Sequence, residues 1–119
     1  MITGAHSILY ASDAEAARAF FRDVLGLAHV DAGHGWLIFK SPPAELAVHP
    51  TGPAGGGRSE MYLMCDDLAS TIAELRAKGV EVADEVEEAG WGRVTRLTVP
   101  GAGEIGLYEP LHPTAYDLD

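Results

Sequence analysis

Apolar and polar positions change period along this chain in a regular order. Residues 5–11 hold Ile8, Leu9 and Tyr10 among polar neighbours and predict a strand. Ser12-Asp13 then offers side-chain oxygens that can cap a helix. From Asp13 to Leu25 the apolar residues Ala17, Phe20, Phe21 and Val24 fall at i, i+3, i+4 and i+7. That spacing predicts an amphipathic helix, which Gly26 closes. Three strands are expected next, over residues 27–31, 35–40 and 45–49, the last one after Pro42-Pro43. Residues 50–57, Pro-Thr-Gly-Pro-Ala-Gly-Gly-Gly, break all regular structure.

After that break the order repeats. Residues 59–65 predict a strand, Asp66-Asp67 a cap, and residues 68–78 a helix with Leu68, Ile72 and Leu75 on one stripe. Gly79 ends it. Strands are expected over residues 80–87, 91–99 and 104–109. The equivalences are Asp13 with Asp67, Gly26 with Gly79, and His6 with Glu60. A repeat of this period is an architectural signal in its own right. It predicts an α+β fold of two tandem βαβββ modules. Each is a curled mixed sheet with one main helix, and the two form a cleft. One domain over 1–119 is expected, with module 1 at about 4–50, a linker at 51–58, module 2 at about 59–110 and a tail at 111–119. A sheet face left bare by its helix must meet something apolar, so the space between the sheets is the expected ligand site.

Composition narrows the class. The 119 residues are 47% hydrophobic and 22% charged, as in ordinary globular proteins. Cys65 stands alone, which suits a reducing compartment. No apolar run is long enough to span a bilayer, and Met1 to His6 lack a signal-peptide pattern, so a cytoplasmic protein with no membrane partner is expected. The net charge of −10 disfavours nucleic acid, because phosphates are repelled. It favours solubility and cationic ligands.

Particular residues point further. His6-Ser7-Ile8-Leu9-Tyr10, Asp13, and Ala19-Phe20-Phe21-Arg22-Asp23-Val24-Leu25-Gly26-Leu27 resemble the opening of the vicinal oxygen chelate superfamily. That group includes glyoxalase I, bleomycin-resistance proteins and extradiol dioxygenases. Ile72 to Val80, Val99-Pro100-Gly101 and Ile105-Gly106-Leu107-Tyr108-Glu109-Pro110 extend the resemblance over nearly the whole chain. It implies a fold rather than a reaction, since one fold hosts many chemistries. It also implies dimers, in which some members exchange modules.

The resemblance further implies a four-ligand metal site, with one ligand from the first and one from the last strand of each module. His6 and Glu60 match the first-strand positions. Ala47 and Gly106 fall where glyoxalases carry glutamate, and neither has a side-chain donor. A shift of two residues brings Glu45 or His49, and Glu104, toward the site. His6, His49, Glu60 and Glu104 would then form a nitrogen and oxygen set. A zinc, nickel, manganese or iron ion on His6 and Glu60 is therefore one alternative, and no cofactor is the favoured expectation. The His6–Glu60 pair is otherwise an inert interaction or an acid/base dyad.

Alternation places Tyr10 beside His6, Tyr62 and Met64 beside Glu60, His49 beside Ala47, and Tyr108 beside Gly106. Trp36 and Trp91 open strands near the rim, where they stack on a ligand or pack in the core. The loss of two carboxylates is expected to enlarge the pocket. Arg93 and Arg96 are possible anion partners. His29, His34 and His112 are expected to be solvated, and Cys65 to pack under a helix. The favoured function is a small-molecule binding protein of the bleomycin-resistance type, taking an aromatic or cationic compound. The alternative is a metal-dependent lyase, isomerase or dioxygenase.

Overall fold

A computed structural model describes residues 6–118 of the chain. The first helix, α1, spans Ala14–Ala19 and runs on as a π-helical turn over Phe20–Val24. Asp13 caps it by accepting from the Ala16 N–H at 3.1 Å. At the other end the Leu27 N–H reaches the Phe21 carbonyl at 3.0 Å. Gly26 makes this closure possible with a φ of +67°. Two short strands follow, β1 at His29–Asp31 and β2 at Leu37–Phe39. They pair antiparallel and form a sheet of their own.

The second half is complete. β3 (Tyr62–Met64) leads into α2 (Leu68–Ala77), then β4 (Glu87–Ala89), β5 (Gly92–Val99) and β6 (Gly103–Pro110). These strands form a mixed sheet in the order β3-β6-β5-β4, with β3 parallel to β6 and the rest antiparallel. The molecule is therefore α+β. The strand expected over residues 80–87 divides in two. Residues around Val82 bridge to Leu97, and a separate short strand begins at Glu87.

One core joins both halves. Ala17 and Phe20 from the first helical segment meet Leu68 and Leu75 of α2, Val80, and Leu97, Val99, Ile105 and Leu107 of the large sheet. Each half was expected to cover its sheet with its own helix. Instead the first helix contributes to the second half's core, because a two-stranded hairpin buries too little by itself. Phe21 still touches Phe39 of the hairpin, with ring centroids 5.8 Å apart. Ser12 and Asp13 bind the Gly101 carbonyl at 3.1 and 3.2 Å, which ties the start of α1 to the β5–β6 turn.

Residues 6–11 and 45–49 were expected to be strands. Neither belongs to a strand among the described residues. Their composition favours extended backbone, but a strand also needs a neighbour for its N–H and C=O groups. Leu46 and Val48 are 95% and 92% exposed, and Ile8 and Tyr10 are 66% and 84% exposed. The radius of gyration, 15.3 Å, exceeds the roughly 13.5 Å of a compact domain this long. No helix among the described residues is long and apolar enough to cross a membrane.

Candidate functional site

The large sheet has two unlike faces. The helices cover the face carrying Leu97, Val99, Ile105 and Leu107. Alternation sends Tyr62, Met64, Val94, Arg96, Thr98, Glu104, Gly106 and Tyr108 to the other face. Val94 and Tyr108 are buried there, outside the helix-side core.

Three rings meet on this second face. Tyr62, Trp91 and Tyr108 lie with centroids 5.1 to 6.0 Å apart and planes at 72° to 90°. Edge-to-face contacts of this kind contribute about 0.5–1.5 kcal/mol each beyond area burial. Trp91 remains 45% exposed, so the cluster presents a usable aromatic surface. The Tyr62 hydroxyl donates to Glu60 at 3.0 Å, and Arg58 faces the same carboxylate at 3.8 Å.

The enlarged pocket expected at Gly106 is not found. A Cβ built on Gly106 would sit 2.0 Å from Cδ1 of Tyr62. The tyrosine ring therefore occupies the space that a larger residue would take. Ala47 opens no pocket either, since it lies on the exposed, unpaired segment.

Other expected site residues also stand apart. His6 is exposed, and Glu60 pairs with Tyr62 and Arg58 rather than with it. Tyr10 is exposed, and His49 turns its Nδ1 to the Pro50 carbonyl at 2.7 Å. Trp36 sits under the Arg18 guanidinium, 5.0 Å from ring centroid to cation, on the other half of the chain. Met64 is half-buried in register with Tyr108. Of the expected set, Glu60, Tyr62, Met64, Trp91, Gly106 and Tyr108 come together.

The sequence reading missed one contributor and placed another differently. His112 was expected to be solvated, yet its Nε2 lies 3.1 Å from the Tyr108 hydroxyl. Its Nδ1 is 2.7 Å from the Pro113 carbonyl. A carbonyl only accepts, so Nδ1 carries the proton and Nε2 accepts from Tyr108. Glu45 accepts from the Ala115 N–H and thereby ties the first half to the tail. Burial pushes the Tyr108 hydroxyl above its ordinary pKa, and the Glu45 carboxylate adds to this by charge and hydrogen bonding. The place of His112 was not visible beforehand, because the chain beyond Pro110 has no periodicity to show where it folds back.

The remaining groups behave as structural parts. Asp67 caps α2, accepting from the Ser70 N–H at 3.0 Å, and that bond holds its carboxyl below the usual range. Cys65 is half-buried, and burial raises its thiol pKa. A hollow of about 510 Å³ beside the start of α2 is lined by Asp66, Asp67, Arg93 and Glu109, among others. Its Arg93 and Glu109 are already engaged. Glu109 accepts from the Leu68 N–H at 2.9 Å and meets Arg93 at 3.3 Å, while Glu88 meets Arg93 at 3.2 Å. A shallower hollow of about 330 Å³ lies over the β1–β2 hairpin. The aromatic face is the better candidate, since the Trp91 ring stays half-exposed beside the two tyrosines.

The residues do not fit the four-ligand metal site. Gly106 is covered by a tyrosine ring and Ala47 has no donor, so two of the four positions supply no ligand. Among the described residues no three His, Cys, Asp or Glu side chains gather as a metal would need.

Solved structures share this architecture. A lactoylglutathione lyase from Agrobacterium tumefaciens is 22% identical, with TM-score 0.62 over 90% of this chain and 92% of that one. TnmS3, an antibiotic binding protein from Streptomyces sp. CB03234, is 28% identical, with TM-score 0.61 over 92% of this chain and 99% of its own. A superfamily member from Sphaerobacter thermophilus DSM 20745 is 25% identical, with TM-score 0.60 over 91% and 98%. A search of curated proteins returns no match. Residues 4–99 match a family model, and on that match the chain belongs to the Glyoxalase/Bleomycin resistance protein/Dioxygenase superfamily.

Proposed function

We propose that this protein binds a flat aromatic compound on the open face of its large sheet, without metal-assisted chemistry. The Tyr62–Trp91–Tyr108 cluster carries the reading. It puts a half-exposed indole beside two phenol rings whose positions are fixed by Gly106, Glu60 and His112. Rings held in place lose little entropy when a ligand stacks on them. The likeness to an antibiotic binding protein at 28% identity points the same way.

Calorimetry against a panel of flat aromatics tests this. Saturable binding is expected, and Trp91→Ala should weaken it about tenfold, the value of a lost stacking contact. No saturable binding anywhere in the panel, or equal binding by the variant, would remove the reading.

The partner for the bare first half is a second copy of this chain, which would complete the cleft. Its support is the unpaired, exposed apolar segments at residues 6–11 and 45–49. The glycine-rich segment 54–57 would let modules exchange between copies. A chain that sediments as a monomer would end this part of the proposal.

A further inference from the structure

We propose that Arg96 makes the aromatic site selective for ligands that carry a carboxylate. This rests on the aromatic-binding reading of the same face and names the ligand class it takes. The chain has six arginines. Arg18 lies over the Trp36 ring. Arg22, Arg58, Arg76 and Arg93 face carboxylates at 2.7 to 3.8 Å. Among the described residues Arg96 has neither an acidic nor an aromatic partner. Glu104, in register with Thr98, shares this face, yet no ion pair joins it to Arg96 among the described residues, which leaves the guanidinium fork open to an incoming group.

That position is beside the ring cluster. Arg96 pairs in register with Gly106, and Tyr62 pairs with the same Gly106 from the opposite side. Residues in register share a face, so Arg96 and Tyr62 look out together, about 10 Å apart at Cα across two strand spacings. The Tyr62 ring lies over Gly106 and fills the interval. Thr98 comes next on the same face and adds a hydroxyl. A flat ring stacked on Trp91 and edge-on to Tyr62 would lay a carboxylate on its rim toward the Arg96 fork.

The planar guanidinium matches a carboxylate in two-point geometry, and such charge-assisted bonds are about twice as strong as neutral ones. The acidic field of the whole chain works against an anion. At physiological salt that field is screened beyond about 8 Å, whereas a contact pair is not. The local arginine therefore outweighs the net charge, and a cationic ligand would meet Arg96 unfavourably.

The test is calorimetry at physiological salt with 2-naphthoate, 2-naphthamide and 2-naphthylmethylammonium, on the wild-type protein, Arg96→Gln and Arg96→Lys. In the wild type the acid should bind about tenfold tighter than the amide, and the ammonium weakest. Arg96→Gln should bring the acid down to the amide's affinity, and Arg96→Lys should restore part of the difference. Arg96 is exposed, so near-UV circular dichroism should show both variants folded. Equal binding of acid and amide, a preference for the ammonium, or an acid preference that survives Arg96→Gln overturns the assignment. If the amide still binds and Trp91→Ala weakens it, only the role of Arg96 falls. If none of the three naphthalenes binds saturably, the aromatic reading falls with it.

Discussion

Gly106 and Tyr62 act as one structural unit. The ring lies where any Cβ at position 106 would go, 2.0 Å from Cδ1 and 2.8 Å from Cγ. Movement of the ring tip cannot relieve a clash so near the ring's root. Gly106→Ala should therefore swing Tyr62 off the sheet, breaking its hydroxyl bond to Glu60 and its contacts with Trp91 and Tyr108. We expect a loss of about 1–3 kcal/mol in chemical denaturation, typical of overpacking, together with a weaker near-UV circular dichroism signal. An unchanged aromatic spectrum would show that the ring does not depend on the glycine. The alternation of β3 and β6 put Tyr62, Gly106 and Tyr108 on one face by sequence alone. That the glycine seats a ring, rather than opening a pocket, follows from side-chain packing across strands, which no local pattern encodes.

At the scale of elements, α2 shows how much local chemistry decides. Asp67 accepts from Ser70 at one end, and the Val80 N–H closes on the Leu75 carbonyl at 3.0 Å at the other. Asp67→Ala should lower the thermal midpoint by roughly a few degrees, while Asp67→Asn keeps an acceptor and should lose less. The hydrogen bond holds the Asp67 carboxyl below its ordinary value. Its contribution is therefore full above the unfolded carboxylate pKa and fades as pH falls through the lower folded one. The gap between wild type and Asp67→Ala should narrow in acid. A gap that stays constant down to low pH would mean that the carboxylate charge is not what caps the helix. Both helices were legible because caps, apolar stripe and terminal glycine all lie within one short stretch. The strands at residues 6–11 and 45–49 were equally plausible by composition, but pairing is a property of neighbours.

For the whole molecule, the exposed apolar residues of the first half set the expectation. Ile8, Tyr10, Leu46 and Val48 are uncovered in the single chain, and the radius of gyration is large for its length. If a second copy covers them, the wild type should sediment at twice the chain mass. A Leu46→Asp/Val48→Asp double variant should then sediment as a monomer, because charges buried without partners oppose association. The second half should stay folded in that variant, since its core of Leu97, Val99, Ile105 and Leu107 does not include those positions. A double variant that remains dimeric would place the contact elsewhere.

Two strands of the doubled order, at residues 6–11 and 45–49, found no partners, whereas both helix caps, the α+β class and the aromatic composition of the second-half strands were written in the chain. Each rests on interactions within a few residues or on a simple period. The tertiary structure decided which of those residues meet. It joined the first helix to the second half's core, set Tyr62 over Gly106, folded His112 back onto Tyr108, and bonded Glu60 to Tyr62 and Arg58. Those outcomes depend on packing between segments distant in sequence, where volume and register, rather than propensity, select the arrangement.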